Sequence, residues 1–394
     1  MEFREMKFAD FTDGLKGQKM FQILTKAKEL EKIGKNVIHL EIGDPDFNSP
    51  KIAKESIKRS IDNNITHYVQ SSGLPILKDA CIRATQKSRG FSPTHDQLLI
   101  TSGANIQIYL AIACLVNPGD EIIIPDPSFV SYSSIIHSCR AIARYVPLLE
   151  SNSFRVDPED IENNISSKTK AIIINSPQNP TGSVLGEGII RSIYNICEKH
   201  GIYLISDEVY GRMIFNDCEN KFFSATQIDK CKERTILVHS FSKTFAMTGW
   251  RIGAVTGPDL LIKKMELLFE TINSCVPPFI QIAAAEVLDA GPQITDYMLN
   301  EYQSRRDALI YGLNTIKGIT CKKPEGTFYV FANIKSITSD SESFSNKLLN
   351  EQFIATCPGI YFGKNGEGYV RFCFANSIEN IDIAIKRIRN EFNN

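Results

Sequence analysis

TILVHSFSKTFAMTGWRIG, residues 235–253, decides how this chain is read. Its first six residues, TILVHS, are largely β-branched and apolar, which is the composition of a strand buried on both faces of a parallel sheet. The run then gives way to small and hydroxylated residues around one lysine, Lys243. Lysines ordinarily sit among other charges on solvated faces. One in this company, with Arg251 eight residues later, raises a question of chemistry as well as of fold. The plain alternative is an exposed lysine near the start of a helix.

Four similar runs precede it: LLIT (98–101), EIIIP (121–125), KAIIIN (170–175) and YLISD (203–207). Between them lie helix-like stretches, including NIQIYLAIACLV (105–116) and LGEGIIRSIYNICEKHG (185–201), the second stopped by Gly201. Strand and helix in alternation predict a doubly wound α/β domain. Beyond it, the strand-like TFYVFANI (327–334) and GYVRFCFAN (368–376) stand among helical patterns over 296–318 and 378–392, predicting a smaller α+β domain. A helix over 22–34 could pack with either part. The expected division is 48–285 for the large domain, with 1–47 and 286–394 forming the small one.

Composition narrows the functional classes. With 44 basic and 45 acidic residues among 394, no charge excess favours nucleic acid or an anionic membrane. The 10 cysteines are scattered without Cys-x-x-Cys spacing, so neither a disulfide framework nor a metal site is expected. The start, MEFREMKFADFTDG, is charged rather than apolar, and no apolar run approaches the roughly 20 residues a membrane helix needs. A cytoplasmic protein acting on a small molecule is the expectation.

In open α/β sheets, ligands bind beyond the carboxyl ends of the strands. LLIT ends in Ser102-Gly103-Ala104-Asn105, a small-residue turn opening a helix, whose N–H groups suit a phosphate; an ordinary strand–helix turn is the alternative. Ser240 and Arg251 offer a hydroxyl and a guanidinium for the same dianion, although an arginine there could equally make a surface or interface ion pair. Asp207 closes YLISD, where a carboxylate either caps a helix or faces a heterocyclic nitrogen and keeps it protonated. Lys243, desolvated, could form a Schiff base with an aldehyde. Phosphate, ring nitrogen and aldehyde are the three handles of one cofactor, pyridoxal 5′-phosphate.

Nine motifs carry a resemblance that runs nearly end to end: EIGDPDFNSP (41–50), HYVQSSGLPILKDA (67–80), TSGANIQ (101–107), PDPSFVSY (125–132), NSPQNPTG (175–182), SDEVYGR (206–212), HSFSKTFAMTGWRIG (239–253), PEGTFYVF (324–331) and YVRFCFAN (369–376). In these the chain resembles the class I/II, fold-type I pyridoxal-phosphate aminotransferases related to aspartate aminotransferase. The resemblance implies a large cofactor-binding domain with a mostly parallel sheet flanked by helices, plus a smaller α+β domain. It also implies amino-group exchange between an L-α-amino acid and a 2-oxo acid by a ping-pong mechanism.

By the same resemblance, Lys243 is the Schiff-base lysine and proton shuttle. Gly103, Ala104, Asn105, Ser240 and Arg251 hold the phosphate, Asp207 pairs with the ring nitrogen, and Asn179 and Tyr210 hydrogen-bond the ring's phenolic oxygen. Phe129 stacks on the ring where relatives commonly have Trp or Tyr. Arg371 takes the substrate α-carboxylate bidentately, with Gly43 allowing close backbone approach. Tyr68 reaches the phosphate of the other subunit in a homodimer, and His67 beside it is read as packing or surface. Met20 and Phe21, in GQKMF (17–21), align with a loop that shapes the substrate pocket in relatives and lean towards aromatic or neutral aliphatic donors. The same machinery also serves lyases and carbon–carbon bond-forming enzymes, and the fold occurs in non-catalytic regulatory proteins. The retained site residues and the absence of an appended basic segment weigh against the last.

Overall fold

The computed structural model describes residues 8–15 and 17–392. The charged start MEFREMK lies outside the described residues, as does that part of the expected 1–47 segment.

Strand β1 (Ile38–His39) precedes the main sheet, which is built from β2 (Leu98–Thr101), β3 (Glu121–Asp126), β4 (Ile142–Pro147), β5 (Thr169–Asn175), β6 (Tyr203–Asp207), β7 (Thr235–Ser240) and β8 (Gly253–Thr256). The remaining strands are β9 (Tyr329–Asn333), β10 (Ile354–Ala355), β11 (Cys357–Pro358) and β12 (Tyr369–Cys373). The main sheet has the order β2-β8-β7-β6-β5-β3-β4. A second sheet has the antiparallel order β11-β12-β9, and β1 pairs in parallel with β10.

The five apolar runs read from the sequence are all strands of the main sheet. Almost every residue of β2, β3, β5, β6 and β7 is buried, as continuous apolar runs covered by helices on both faces require. Two strands carry no such signal. β4 pairs with β3 alone at the sheet edge, and most of its residues stay at least partly exposed, so IARYVP contains no apolar run. β8 is GAVT, whose small residues give little strand signal; its place is set by the neighbours on either side.

β8 also runs antiparallel to both β2 and β7, a departure from the otherwise parallel sheet. Its first residues therefore lie at the edge where the other strands end. The helix Met20–Lys32 buries Ile23 and Ala27 against Val37, Leu349 and Ala355, so it packs on the C-terminal part of the chain. The helix Glu187–His200 ends at Gly201, whose φ of +65° is the left-handed conformation expected of a glycine stop.

Candidate active site

Strand register assembles an anion cup at one end of the sheet. Ser240 of β7 faces Gly253, and Gly253 faces Thr101 of β2. Because β8 is reversed, Arg251 enters beside the turn Ser102–Gly103 rather than leaving at the far edge. Its Nη2 donates to the Ser102 carbonyl at 3.3 Å and its Nη1 to the Thr248 carbonyl at 2.9 Å. Gly103 has φ +88° and immediately precedes the helix Ala104–Leu115. A Cβ there would lie 2.6 Å from Arg251 Nη2, so glycine is what lets a guanidinium sit across this helix N-terminus. Ser240 Oγ accepts the Ser242 N–H at 3.1 Å. Helix N–H groups, hydroxyls and a guanidinium converging on one spot are the donors a phosphate takes.

Asp207 forms the floor. It ends β6 opposite Asn175 of β5 and is only 3% exposed. No helix begins there, which removes the capping alternative. Its Oδ2 accepts the Tyr132 hydroxyl at 2.6 Å and its Oδ1 the Val209 N–H at 3.2 Å. Burial pushes this carboxyl up to about 6 from the ordinary 3.8, and those two hydrogen bonds hold it below where burial alone would put it.

Lys243 sits in the one-turn helix Phe241–Thr244, and its Nζ donates to the Gly43 carbonyl at 2.6 Å. Burial lowers its ammonium to about 8 from 10.5. An amine with that value supplies a usable neutral fraction near neutrality.

The opposite wall comes from the chain's two ends. Arg371 of β12 is 1% exposed and packed over the rings of Tyr329 (4.3 Å) and Phe362 (4.8 Å). Its Nη1 donates to Asn179 Oδ1 at 3.0 Å and its Nη2 to the Glu41 carbonyl, while Nε, also buried, has no hydrogen-bond partner among the described residues. Gly43 is glycine because a Cβ would fall 1.8 Å from the Tyr329 hydroxyl. That hydroxyl lies 2.9 Å from the hydroxyl of Tyr210. The Asn179 N–H donates to Asn175 Oδ1 at 2.9 Å, and Asn175 Nδ2 donates to the Asp207 carbonyl at 3.0 Å, tying the two walls together.

Groups from the cup, the floor and the opposite wall line one cavity of about 460 Å³. Its lining takes in every residue named from the sequence for cofactor or substrate except Gly103, which backs onto Arg251, and Tyr68. Phe129, Met20 and Phe21 also line it. Tyr68 is 87% exposed, away from the cavity of its own chain, and His67 is exposed beside it. Sequence reasoning missed Tyr132 and Tyr329, though each lies in a quoted motif. Tyr132 comes three residues after Phe129, in the first turn of the helix Ser131–Ser138 that follows it, and both line the cavity. Only the tertiary pairing with Asp207 shows what its hydroxyl does.

The sequence model of the family "Aminotransferase class I and II" matches residues 35–388. The chain belongs to this family. It is 40% identical over 376 residues to an aspartate aminotransferase of Pyrococcus horikoshii, covering 95% of this chain and 94% of that protein. It is 36% identical over 356 residues to aromatic-amino-acid aminotransferase 2 of Thermococcus litoralis, covering 89% and 90%. The solved structure of aspartate aminotransferase from Thermus thermophilus with maleate superposes with a TM-score of 0.93 at 30% identity, covering 98% of this chain and all of that one. The protein is a pyridoxal-phosphate-dependent aminotransferase of fold type I, and a lyase or carbon–carbon bond-forming activity is not favoured. Among the described residues no helix is long and apolar enough to cross a membrane, and no cluster of side chains could hold a metal ion.

The aminotransferase site fits its cofactor on its own terms. The anion cup, the buried carboxylate with a hydroxyl donor behind it, and an amine of lowered basicity lie around one cavity, one for each chemical handle.

Proposed function

We propose that Lys243, Asp207 and Tyr210 carry the chemistry of amino-group exchange in this cavity, and that Arg371, Asn179 and Gly43 hold the substrate. The observation that carries this reading is that Lys243, Asp207 and Arg371, far apart in sequence, line the wall of a single cavity. When bound, pyridoxal phosphate supplies the aldehyde that takes up the amino group and the ring that accepts the electron pair left on the substrate Cα. Everything else is work for the chain's own residues.

Gly103, Ala104, Asn105, Ser240 and Arg251 would hold the phosphate. Asp207, as a carboxylate, would accept a hydrogen bond from the protonated ring nitrogen and keep the proton there, and Tyr132 keeps that carboxylate ionised and oriented. Asn179 and Tyr210 would donate to the phenolic oxygen, and Phe129 would cover one ring face. Lys243 Nζ is the covalent anchor and then the base that moves the proton at the substrate Cα. Arg371 receives the α-carboxylate; its rigid fork, clamped between Tyr329 and Phe362, presets the bidentate geometry.

The donor is proposed to be an aromatic or neutral amino acid. The cavity's cations are Lys243, Arg251 and Arg371, each already assigned, and the remaining wall offers Gln18, Met20, Phe21, Ile42 and the carboxylate of Asp44. Among the described residues the cavity thus presents no free cation to a distal carboxylate, and it holds an acid that would repel one. The oxo-acid acceptor uses the same Arg371.

The proposed domain division is 48–285 around the cofactor cup and 1–47 with 286–394 around Arg371. A homodimer is proposed, with the exposed Tyr68 reaching the phosphate held by the partner subunit, in a cytoplasmic setting. Titrating the cofactor-loaded enzyme with a donor panel tests the activity. Conversion of the cofactor's aldehyde form to its amine form by phenylalanine, reversed by a 2-oxo acid, is expected by absorbance. Conversion by aspartate alone would overturn the donor class, and release of ammonia without the amine form would overturn exchange itself.

A further inference from the structure

Residues 38–43 form a strap behind the site, and its side chains carry charge that the reaction does not explain. Glu41 is fully buried, with its Oε1 2.8 Å from His39 Nδ1 and its Oε2 without a hydrogen-bond partner among the described residues. The other imidazole nitrogen, Nε2, lies 3.1 Å from Glu31 Oε1 on the helix Met20–Lys32. A carboxylate on each ring nitrogen requires an N–H on each, which is the imidazolium form. The two glutamates accordingly raise His39 above its ordinary value, the Glu41 hydrogen bond most of all, although burial opposes them.

The backbone of the same strap meets two of the site's three cations. The Glu41 carbonyl accepts from Arg371 Nη2 and the Gly43 carbonyl from Lys243 Nζ. The His39 carbonyl accepts Asn376 Nδ2 at 3.0 Å. Other titratable groups packed here do not replace His39. Burial pushes the thiols of Cys357 and Cys373 up to about 11 and about 12, so they stay neutral. Arg387 of the C-terminal helix donates to Asn36 and to the carbonyls of Gln352 and Phe353. Arg371 meets the Glu41 backbone rather than its carboxylate.

We infer that Glu31, His39 and Glu41 form a charge relay of positioning residues that sets the Glu41–Gly43 backbone and thereby the Arg371 guanidinium, making substrate carboxylate binding sensitive to His39 protonation. The inference rests on Arg371 being the carboxylate holder. A neutral His39 has one N–H for two carboxylates. When that donor goes to Glu31, Glu41 is a buried charge with no cation, and such a charge is costly. Its relief is displacement of Glu41, which moves the carbonyl that orients Arg371. Since His39 is raised, the ordered arrangement is present below its folded value and lost as pH rises through it.

The test is the Kd of 3-phenylpropanoate, a carboxylate with no amine to react, for the cofactor-loaded enzyme by calorimetry from mildly acidic to mildly alkaline pH. The wild type should bind more weakly as His39 loses its proton. His39→Gln should weaken binding about tenfold on the acidic side and abolish that pH step, and adding Glu41→Gln should recover affinity to within about threefold by removing the uncompensated charge. KM for the amino donor should follow Kd while kcat stays nearly constant, a split that general loosening of the fold would not give. Glu31→Gln, at the solvent end and safe for folding, should move the step to lower pH. A His39→Gln enzyme with wild-type Kd and pH profile overturns the relay, as does an unmoved step in Glu31→Gln should His39→Gln fail to fold. Arg371→Lys is run beside them: wild-type Kd in that variant would mean that the carboxylate assignment had failed rather than the relay.

Discussion

The two walls of the active site are built on opposite plans. The wall proposed to hold the cofactor belongs to neighbouring strands of one sheet, and its groups are set by register: Asn175 beside Asp207, and Ser240 beside Gly253, which in turn faces Thr101. The substrate wall is assembled from chain segments far apart in sequence. Arg371 takes its partners from Glu41 and Asn179, and its packing from Tyr329 and Phe362. A register-set wall is stiff because moving one group means breaking a ladder. A wall of sequence-distant parts depends on each contact, which suits a surface that must admit and release substrate. The difference predicts that substitutions in the first wall damage the chemistry, and those in the second damage binding.

Lys243→Ala should have the largest effect. It would remove both the proposed covalent anchor and the proposed base, so kcat should fall by at least about four orders of magnitude. Borohydride reduction followed by peptide mass analysis should find no cofactor on residues 239–253, while the anion cup still binds the phosphate. Detectable turnover at wild-type rate would break the comparison at its strongest point.

Asp207→Asn comes next. The amide keeps the shape but removes the charge proposed to hold the ring nitrogen protonated, and kcat should drop about 10²–10³-fold with KM little changed. Arg371→Lys should do the reverse. A lysine cannot reproduce the bidentate fork or the stack between Tyr329 and Phe362, so KM for the α-amino acid should rise about 10–100-fold while kcat changes less. Steady-state kinetics on the two variants side by side would sharpen the contrast. Equal splits between kcat and KM in both would erase it.

The two walls also differ in how far the sequence reveals them. The cofactor wall is legible because buried parallel strands announce themselves as apolar runs, and the residues at the end of each run build the site: Gly103 after LLIT, Asn179 after KAIIIN, Asp207 at the end of YLISD, Lys243 after TILVHS. The runs do not tell that β8 reverses and comes between β2 and β7, the step that brings Arg251 to Gly103. GAVT is too small and short to signal a strand by itself. In the substrate wall, Arg371 is legible only through resemblance to a family. Its setting depends on contacts such as that with the Glu41 carbonyl, 330 positions away, and no local periodicity encodes those. Tyr132 lies between these cases, next to a legible residue but given its role by a tertiary hydrogen bond.

Tyr132→Phe should have the smallest effect on rate and the most informative one on pH. The hydroxyl donates to the carboxylate form of Asp207, so it favours the charged state and lowers a value that burial has raised to about 6. Without it, only the Val209 N–H opposes burial, and Asp207 should titrate higher. On the proposed role of Asp207 the ring nitrogen needs it ionised as acceptor, so cofactor affinity should fall as pH drops through the folded value; in the variant that fall should begin at higher pH. The sign for stability runs the other way from that of an ordinary salt-bridged aspartate. A carboxyl raised in the fold costs nothing below its ordinary 3.8 and its full penalty above about 6, so the cofactor-free protein loses stability as pH rises across that window. Tyr132→Phe should extend the loss to higher pH. Cofactor binding titrations and thermal unfolding of the cofactor-free protein at matched pH values measure both. If the two midpoints stay where they are in the wild type, Tyr132 only fills space against Phe129, and the stiffness of the cofactor wall comes from the strands alone.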